Sequence, residues 1–285
     1  MYLRGRNFQP GTIRVYGSKL RAFAAYLAFM KQDPLSVDFR FLEAWRLHLL
    51  QEEKTPKTIQ DGIYAVGSLY HYLKREGLVA ANPAEDVDPV RLPETLPDWW
   101  TEDQVRRVLA GARCARDRAI LETLYCSGGR ASEVQAMDLA RLVLGGPRGT
   151  GHAIVMGKGQ REGVLHLMPE AVLAIQAWLP ERAQVLRKTT REHETALFVS
   201  SLGKRLSYCP FRNVVVKAAA AAGVTGPAHP HMLRHSMATH NLNRGANLRE
   251  VQEMLRHGSI RSTERYTHIA QDQLRDVMLK LRGKP

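Results

Sequence analysis

The clearest strand pattern in this chain lies at residues 152–168, which read HAIVMGKGQREGVLHLM. Apolar residues alternate with other residues on both sides of a glycine-rich centre, as in two antiparallel strands joined by a tight turn. The pattern predicts a β-hairpin with strands near 152–156 and 163–168. Because the segments on both sides have helical spacing, the hairpin also decides the fold class, which is mainly α with a small antiparallel β-sheet.

Helices are predicted on both sides of this hairpin. Thr101 and Gln104 have the spacing of a capping box, which predicts that a helix begins there. Helical patterns continue through Tyr125 and dominate again from Pro169 onward. Within this later part of the chain, Ala196–Ser200 is a short apolar segment that could form a strand.

The first ninety residues contain three apolar stripes at helical spacing and predict a small helical bundle. Thr55 and Pro56 form the pattern of an N-cap followed by proline at the first helical position, and this helix ends at Gly77. Aromatic residues share the stripes with aliphatic ones, which favours a core role over base stacking. The stripes are Tyr16, Leu20, Phe23 and Leu27; Phe41, Leu42, Trp45 and Leu49; and Ile59, Ile63, Val66, Tyr70 and Leu73.

An extended linker is predicted between the two helical parts. Residues 90–100 read VRLPETLPDWW, contain Pro93 and Pro97 and lack periodicity, as expected of a stiff, extended segment. A chain of 285 residues has the length of two domains. We therefore predict a helical domain at 1–88, a linker at 89–100 and a second domain at 101–285.

The charge of the chain points to a polyanionic partner. The formal net charge is +13, and a surplus of Lys and Arg is typical of proteins that bind nucleic acid. Residues 1–97 contain 13 Lys and Arg against 11 Asp and Glu, which leaves 28 against 17 for residues 98–285. The second part carries most of the positive charge, although a basic surface alone is also compatible with a merely soluble protein.

The composition disfavours several classes of protein. No stretch approaches the ~20 apolar residues of a membrane span, and residues 1–10 lack the apolar run of a signal peptide. The three cysteines are odd in number and form no C-x-x-C pair, which argues against a disulfide framework and a thiolate zinc site. We expect a cytoplasmic protein with no membrane partner.

Four segments of the second part carry residues suited to phosphoryl transfer without a metal. This chemistry needs a nucleophile, cations for the non-bridging phosphate oxygens and an acid for the departing oxygen. Acidic clusters and a G-x-x-x-x-G-K-[ST] loop are missing, so we expect neither magnesium nor another cofactor. The segments are GGRASEV at 128–134, MGKGQRE at 156–162, HPHMLRHSMATH at 229–240 and LRHGSIRSTERYTH at 255–268.

Each candidate residue has an ordinary interpretation when it is taken alone. Arg130 follows two glycines at a predicted helix start, where it could bind a phosphate or form an ion pair with Glu133. Lys158, between two glycines of the hairpin, could be a turn lysine. Tyr266 alone would be a core or surface tyrosine.

The histidines of the third segment have alternatives of their own. His231 and Arg234 are three residues apart and therefore face the same side of a helix. His231 and His235, four apart, could bind zinc, but the segment lacks the glutamate of a metalloprotease. We interpret His235 and His240 as structural and predict no metal site.

Six positions together resemble the tyrosine recombinase or phage integrase family, in its compact two-domain Xer-like form. They match the family in order, context and spacing over 137 residues, and they are Arg130, Lys158, His231, Arg234, His257 and Tyr266. The resemblance covers nearly the whole chain. Residues 1–88 look like the SAM-like core-binding domain, and residues 101–285 look like the catalytic domain.

The resemblance implies a site-specific DNA recombinase with a covalent intermediate. Tyr266 would attack the scissile phosphate and leave a 3′-phosphotyrosyl DNA and a free 5′-hydroxyl. Arg130 and Arg234 would hold the non-bridging oxygens, and His257 would add a hydrogen bond. Lys158 would protonate the leaving 5′-oxygen.

His231, the last of the six, and three further positions complete the comparison with the family pattern. His231 would assist proton movement at the tyrosine hydroxyl, and Glu133 would support the arginines from a buried position. Arg256 stands where the pattern has glycine, and Gly163 stands where it has a second basic residue after the hairpin lysine. These departures concern local loop geometry or target preference, not the reaction.

The implied partners are double-stranded DNA with paired half-sites and further copies of the chain, in a tetramer on DNA. A type IB topoisomerase or a catalytically inactive DNA-binding protein are the alternatives, and the intact set of six disfavours the second. An amphipathic helix is predicted at 271–281, where it could join a neighbouring protomer or pack on its own domain. Its stripe is Leu274, Val277, Met278 and Leu281.

Overall fold

The computed structural model describes residues 10–90, 98–157 and 162–256. These residues form ten α-helices and one three-stranded antiparallel sheet, so the predicted fold class is confirmed. The chain divides into two compact units, Met1–Thr95 and Leu96–Pro285. Part of the predicted linker, 91–97, lies outside the described residues, and the boundaries at 88 and 101 stay a prediction. Within the described ranges, no helix has the length and apolarity to cross a membrane.

In residues 10–90, the first unit contains three α-helices, α1 (Pro10–Met30), α2 (Phe39–Gln51) and α3 (Pro56–Arg75). As predicted, the Thr55 side chain caps α3 by accepting a hydrogen bond from the backbone N–H of Thr58. The aromatic residues of the stripes form the core. Phe23, Trp45 and Tyr70 are each about 1% exposed, and the rings of Phe23 and Trp45 lie 4.8 Å apart.

The second unit contains the other seven helices. The predicted capping box begins the first of them, because Thr101 and Gln104 each accept a hydrogen bond from the backbone N–H of the other. The helices are α4 (Glu102–Ala110), α5 (Ala115–Ser127), α6 (Ala131–Gln135), α7 (Pro169–Lys188), α8 (Tyr208–Ala221), α9 (Pro230–Asn243) and α10 (Leu248–Leu255).

Helix α5 lies at the centre of this unit. Ala119, Ile120, Leu121 and Leu124 are all fully buried, and they point in different directions around the helix axis. A helix that is buried on most of its faces is enclosed by its neighbours. The end of α5, and the turn that follows it, therefore have a fixed position.

The sheet consists of β1 (Leu142–Leu144), β2 (Gly151–Met156) and β3 (Glu162–Leu167), in that order. Strands β2 and β3 are antiparallel, with Ala153 opposite Leu165. Both residues are 1% exposed and lie on the inner face. The predicted hairpin is confirmed to within one residue at each strand.

Two details of the sheet differ from the sequence prediction. The strand predicted at Ala196–Ser200 is wrong, because this segment forms only isolated bridges, Ala196 with Asp138 and Val199 with Arg205. Its buried side chains explain the apolar run without a strand. Strand β1 was not predicted, since three residues are too few to show an alternating pattern.

Candidate active site

The described residues include four of the seven predicted site residues. Arg130 is the N-cap residue of α6, Glu133 lies on α6, and His231 and Arg234 lie on α9. Lys158, His257 and Tyr266 lie outside the described residues, as does the predicted helix at 271–281. The structure brings Arg130, Glu133 and Arg234 together and adds a residue that was not predicted to belong to the site, Arg256.

Two glycines between α5 and α6 place Arg130. Gly128 has a left-handed backbone (φ 55°), and a Cβ there would lie 1.9 Å from the Cε atom of Met237. A Cβ on Gly129 would lie 2.9 Å from a methyl carbon of Val134. Larger residues do not fit either position without displacing the core, so the glycines let the chain turn tightly into α6.

Arg130 and Glu133 are joined at the start of α6. Oε2 of Glu133 accepts a hydrogen bond of 2.8 Å from the backbone N–H of Arg130, and Oε1 accepts one of 2.9 Å from Nη1 of Arg130. The Glu133 side chain is 2% exposed, whereas that of Arg130 is 29% exposed. The carboxylate is therefore a buried anchor, and the guanidinium keeps an open side.

Arg256 gives the same carboxylate a second cation. Nη2 of Arg256 donates a hydrogen bond to Oε2 of Glu133. Arg256 also ends α10 with a left-handed backbone, φ 51°, which costs a non-glycine residue roughly 1–2 kcal/mol. A hydrogen bond to a charged group contributes ~1.5–3 kcal/mol, enough to offset that strain.

The environment of Arg256 opposes its own charge. Burial lowers the pKa of its guanidinium, Glu133 raises it, and the positive charge of Arg130 lowers it further. An arginine nevertheless stays protonated at any ordinary pH. Two cations are thus held on one buried carboxylate.

Arg234 links the end of α5 to the end of α10. Its side chain is buried, with 4% of the residue exposed. Its guanidinium donates to the carbonyl oxygen of Gly128 through Nη1 and to that of Leu255 through Nη2, at 2.7 Å for the latter. Arg234 therefore fixes the segment that leads into Arg130 against the segment that leads into Arg256. Among the described residues, Arg130 and Arg256 both pair with the carboxylate of Glu133, so this cluster carries one more positive than negative charge and suits an anion.

His231 lies in the first turn of α9 and is exposed, unlike Arg234 one turn later. Its ring centroid lies 6.2 Å from that of His229 and 6.3 Å from that of His235. No group of His, Cys, Asp or Glu within the described ranges could hold a metal ion. Burial and the nearby Arg212 lower the pKa of His229, against the opposing effect of Asp98.

His240 is part of the packing between α5 and α9, the role expected of it. It is 3% exposed, and its Nδ1 atom lies 2.9 Å from the hydroxyl oxygen of Tyr125. Burial lowers the pKa of His240 and raises that of Tyr125. The pair is therefore uncharged at neutral pH and stabilises the helix contact.

Comparison with known proteins identifies the class. Residues 98–273 match the phage integrase family, and residues 1–77 match the N-terminal SAM-like domain of phage integrases. The chain belongs to the phage integrase family. Within that family it is a site-specific tyrosine recombinase that acts on DNA, as the resemblance of the sequence implied.

A curated relative supports this assignment over most of the chain. Tyrosine recombinase XerC of Oceanobacillus iheyensis is 31% identical over an alignment 285 residues long, which covers 96% of this chain and 91% of that protein.

Solved structures share the fold. The XerH site-specific recombinase bound to palindromic difH substrate, in a post-cleavage complex, matches with a TM-score of 0.74 at 21% identity, covering 93% of this chain and 78% of that chain. A lambda integrase tetramer bound to a Holliday junction matches with a TM-score of 0.72 at 17% identity, covering 93% and 74%.

Proposed function

We propose that the chain cuts and rejoins DNA through a covalent 3′-phosphotyrosine at Tyr266. The Oη atom of Tyr266 attacks the scissile phosphorus, and the bond from phosphorus to the 5′-oxygen breaks. Lys158 gives a proton to that oxygen, and His231 assists removal of the phenolic proton. Arg130, Arg234 and His257 hold the phosphate.

The observation that carries this proposal is the anchored but open guanidinium of Arg130. Its partner Glu133 is buried, its own side chain is 29% exposed, and Arg256 adds a second positive charge on the same carboxylate. A planar guanidinium fits two phosphate oxygens. Because its position is set before DNA arrives, it can stabilise the charge that develops in the transition state without reorganisation.

The surroundings also suit a tyrosine nucleophile. A free phenol has a pKa near 10 and is a weak nucleophile at neutral pH, so it needs cations or a base close by. The phosphotyrosyl ester preserves the energy of the phosphodiester. Rejoining, in which the 5′-hydroxyl attacks and the phenol leaves, then needs neither ATP nor metal.

Chelation and salt provide two tests of this proposal. The DNA substrate carries a binding site that the full-length protein has selected from a random DNA library. A suicide duplex, nicked so that cleavage cannot reverse, should yield a covalent complex on a denaturing gel in the presence of EDTA. Binding should weaken steeply with salt, because six to ten phosphate contacts lose about 10³–10⁵ in affinity between 50 and 200 mM salt. Loss of cleavage on chelation, or a flat salt response, would contradict the proposal.

We also propose that the protein acts as a tetramer on paired half-sites. The lambda integrase tetramer on a Holliday junction, a structural neighbour, supports this by analogy of fold. The apolar stripe predicted at 271–281 needs a covering surface, and a neighbouring protomer would supply one in a closed ring. Packing of this helix on its own domain is the competing possibility.

Deleting residues 271–285 separates these possibilities. If the segment joins protomers, the truncated protein should bind one half-site as the full chain does but lose cooperativity and strand exchange on two. Gel-shift titrations on one and two half-sites measure this. Unchanged cooperativity would place the segment on its own domain.

The proposed location is the cytoplasm, with the nucleoid. Cys114, Cys126 and Cys209 form no disulfide, and Cys114 and Cys209 are exposed. A reducing compartment keeps such thiols free. A fluorescent fusion that does not coincide with a DNA stain would contradict this.

A further inference from the structure

Gly163 on β3 and Arg256 at the end of α10 lie in direct contact, although 93 residues separate them in the sequence. A Cβ on Gly163 would lie 2.6 Å from Nη1 of Arg256 and 3.5 Å from its Cδ and Cζ atoms. Carbon atoms essentially never approach a neighbour as closely as 2.6 Å. The guanidinium of Arg256 therefore occupies the space that a side chain at 163 would need.

The same guanidinium reaches Glu133, the anchor of Arg130. Oε2 of Glu133 accepts hydrogen bonds from Arg256 and from the backbone N–H of Arg130, while Oε1 accepts one from Nη1 of Arg130. With Arg256 in place, one oxygen is left to the Arg130 side chain. Without it, Arg130 would be the one cation among the described residues in contact with this buried carboxylate and could bind both oxygens, since the two groups match in a bidentate pair.

A bidentate pair would turn Arg130 toward Glu133 and away from DNA. An anchored guanidinium that shifts by about 1 Å can lower the rate of a reaction by about 10²-fold. The position of Arg256 also carries backbone strain, since its φ is 51°. Glycine would relieve this strain, so the arginine side chain must supply something that glycine cannot.

We propose that Arg256 is a positioning residue for Arg130, acting through Glu133, and that Gly163 is small in order to admit it. Positions 163 and 256 then act as a pair, in which either position can supply the cation that contacts Glu133. The sequence agrees, because these are the two positions where the chain departs from the related pattern, with the basic residue and the glycine exchanged. The inference rests on the proposed role of Arg130 at the scissile phosphate.

Exchange of the two residues tests the proposal. Arg256→Gly should slow single-turnover cleavage of the suicide duplex by about 10- to 100-fold, with DNA affinity changed less than about 2-fold. Gly163→Arg should slow cleavage as well, because its side chain collides with Arg256. The double variant Gly163→Arg with Arg256→Gly should recover to within about 3-fold of the unmodified protein, since contacting residues couple strongly.

Arg148→Gly is a matched control. Arg148 is exposed and also has a left-handed backbone, with φ 56°. Its replacement removes the same charge and the same kind of backbone strain at a residue with no described contact to Glu133, so cleavage should be unchanged. Thermal unfolding of every variant, with cleavage measured well below the midpoint, separates slow cleavage from a loss of folded protein.

Each outcome has a distinct meaning. An Arg256→Gly variant that cleaves normally, or a double variant no faster than the slower single variant, would overturn the positioning role while the proposed function stands. A loss of cleavage that only follows the folded fraction would overturn it too. If the unmodified protein forms no covalent complex, the proposed function fails, and the positioning role fails with it.

Discussion

Replacing Tyr266 by phenylalanine is expected to abolish the covalent complex with DNA and to leave DNA binding unchanged. The substitution removes only the attacking oxygen and keeps the ring, so the rest of the protein should bind DNA as before. Loss of a nucleophile typically lowers the rate on the order of 10⁴-fold or more. Covalent product should therefore fall below detection on a denaturing gel after incubation with the suicide duplex.

Tyr208→Phe is the control for this experiment. Tyr208 is 47% exposed at the start of α8, and its replacement removes an equivalent hydroxyl from the same unit. That variant should form covalent complex at the normal rate. A shifted band with the Tyr266 variant on the denaturing gel would show that another residue is the nucleophile. A parallel gel shift under native conditions would show whether DNA binding is intact.

The parts of the fold that the sequence predicted are those decided by neighbours in the chain. The hydrogen bonds between Thr101 and Gln104 join residues three apart, as does the cap at Thr55. The hairpin is equally local, because β2 and β3 are joined by a short connection. Such features follow from backbone geometry and a few side chains, so their pattern can be read directly.

The errors lie where distant segments decide the structure. The segment at Ala196–Ser200 is apolar because its side chains fill the core of the second unit, and a buried run gives no evidence of its backbone pairing. Whether it becomes a strand depends on the segments beside it, here Asp138 and Arg205. Strand β1 exists because β2 supplies hydrogen bonds to a three-residue segment.

In the candidate site, too, a contact between near neighbours in the sequence was predicted and a contact between distant segments was not. The ion pair of Arg130 and Glu133 spans three residues and was weighed from the sequence as the ordinary interpretation of Arg130. The contact of Arg256 with Glu133 spans 123 residues, and no spacing rule reports it. The only sequence signal was a pair of departures from a related pattern, whose common cause is visible only when Gly163 and Arg256 are seen in contact.

Replacing Lys158 by alanine tests whether this residue is the general acid, and a large loss of cleavage rate is expected. Lys158 lies in the connection between Met156, where β2 ends, and Glu162, where β3 begins, so the sheet fixes both ends of its segment. A departing 5′-oxygen with no proton is a poor leaving group. Loss of a general acid should therefore lower the cleavage rate by about 10²–10⁴-fold.

A sulfur atom in place of the bridging 5′-oxygen distinguishes an acid from a binding residue. A thiolate leaves without a proton, because a thiol has a pKa near 8.5, so the alanine variant should cleave the sulfur substrate to within about 10-fold of the unmodified protein. Lys204→Ala, which removes an exposed lysine of the same unit, should cleave both substrates normally. If the Lys158 variant is equally slow on oxygen and sulfur, the amine holds DNA in place and the proton comes from another group, with His231 the first residue to replace next.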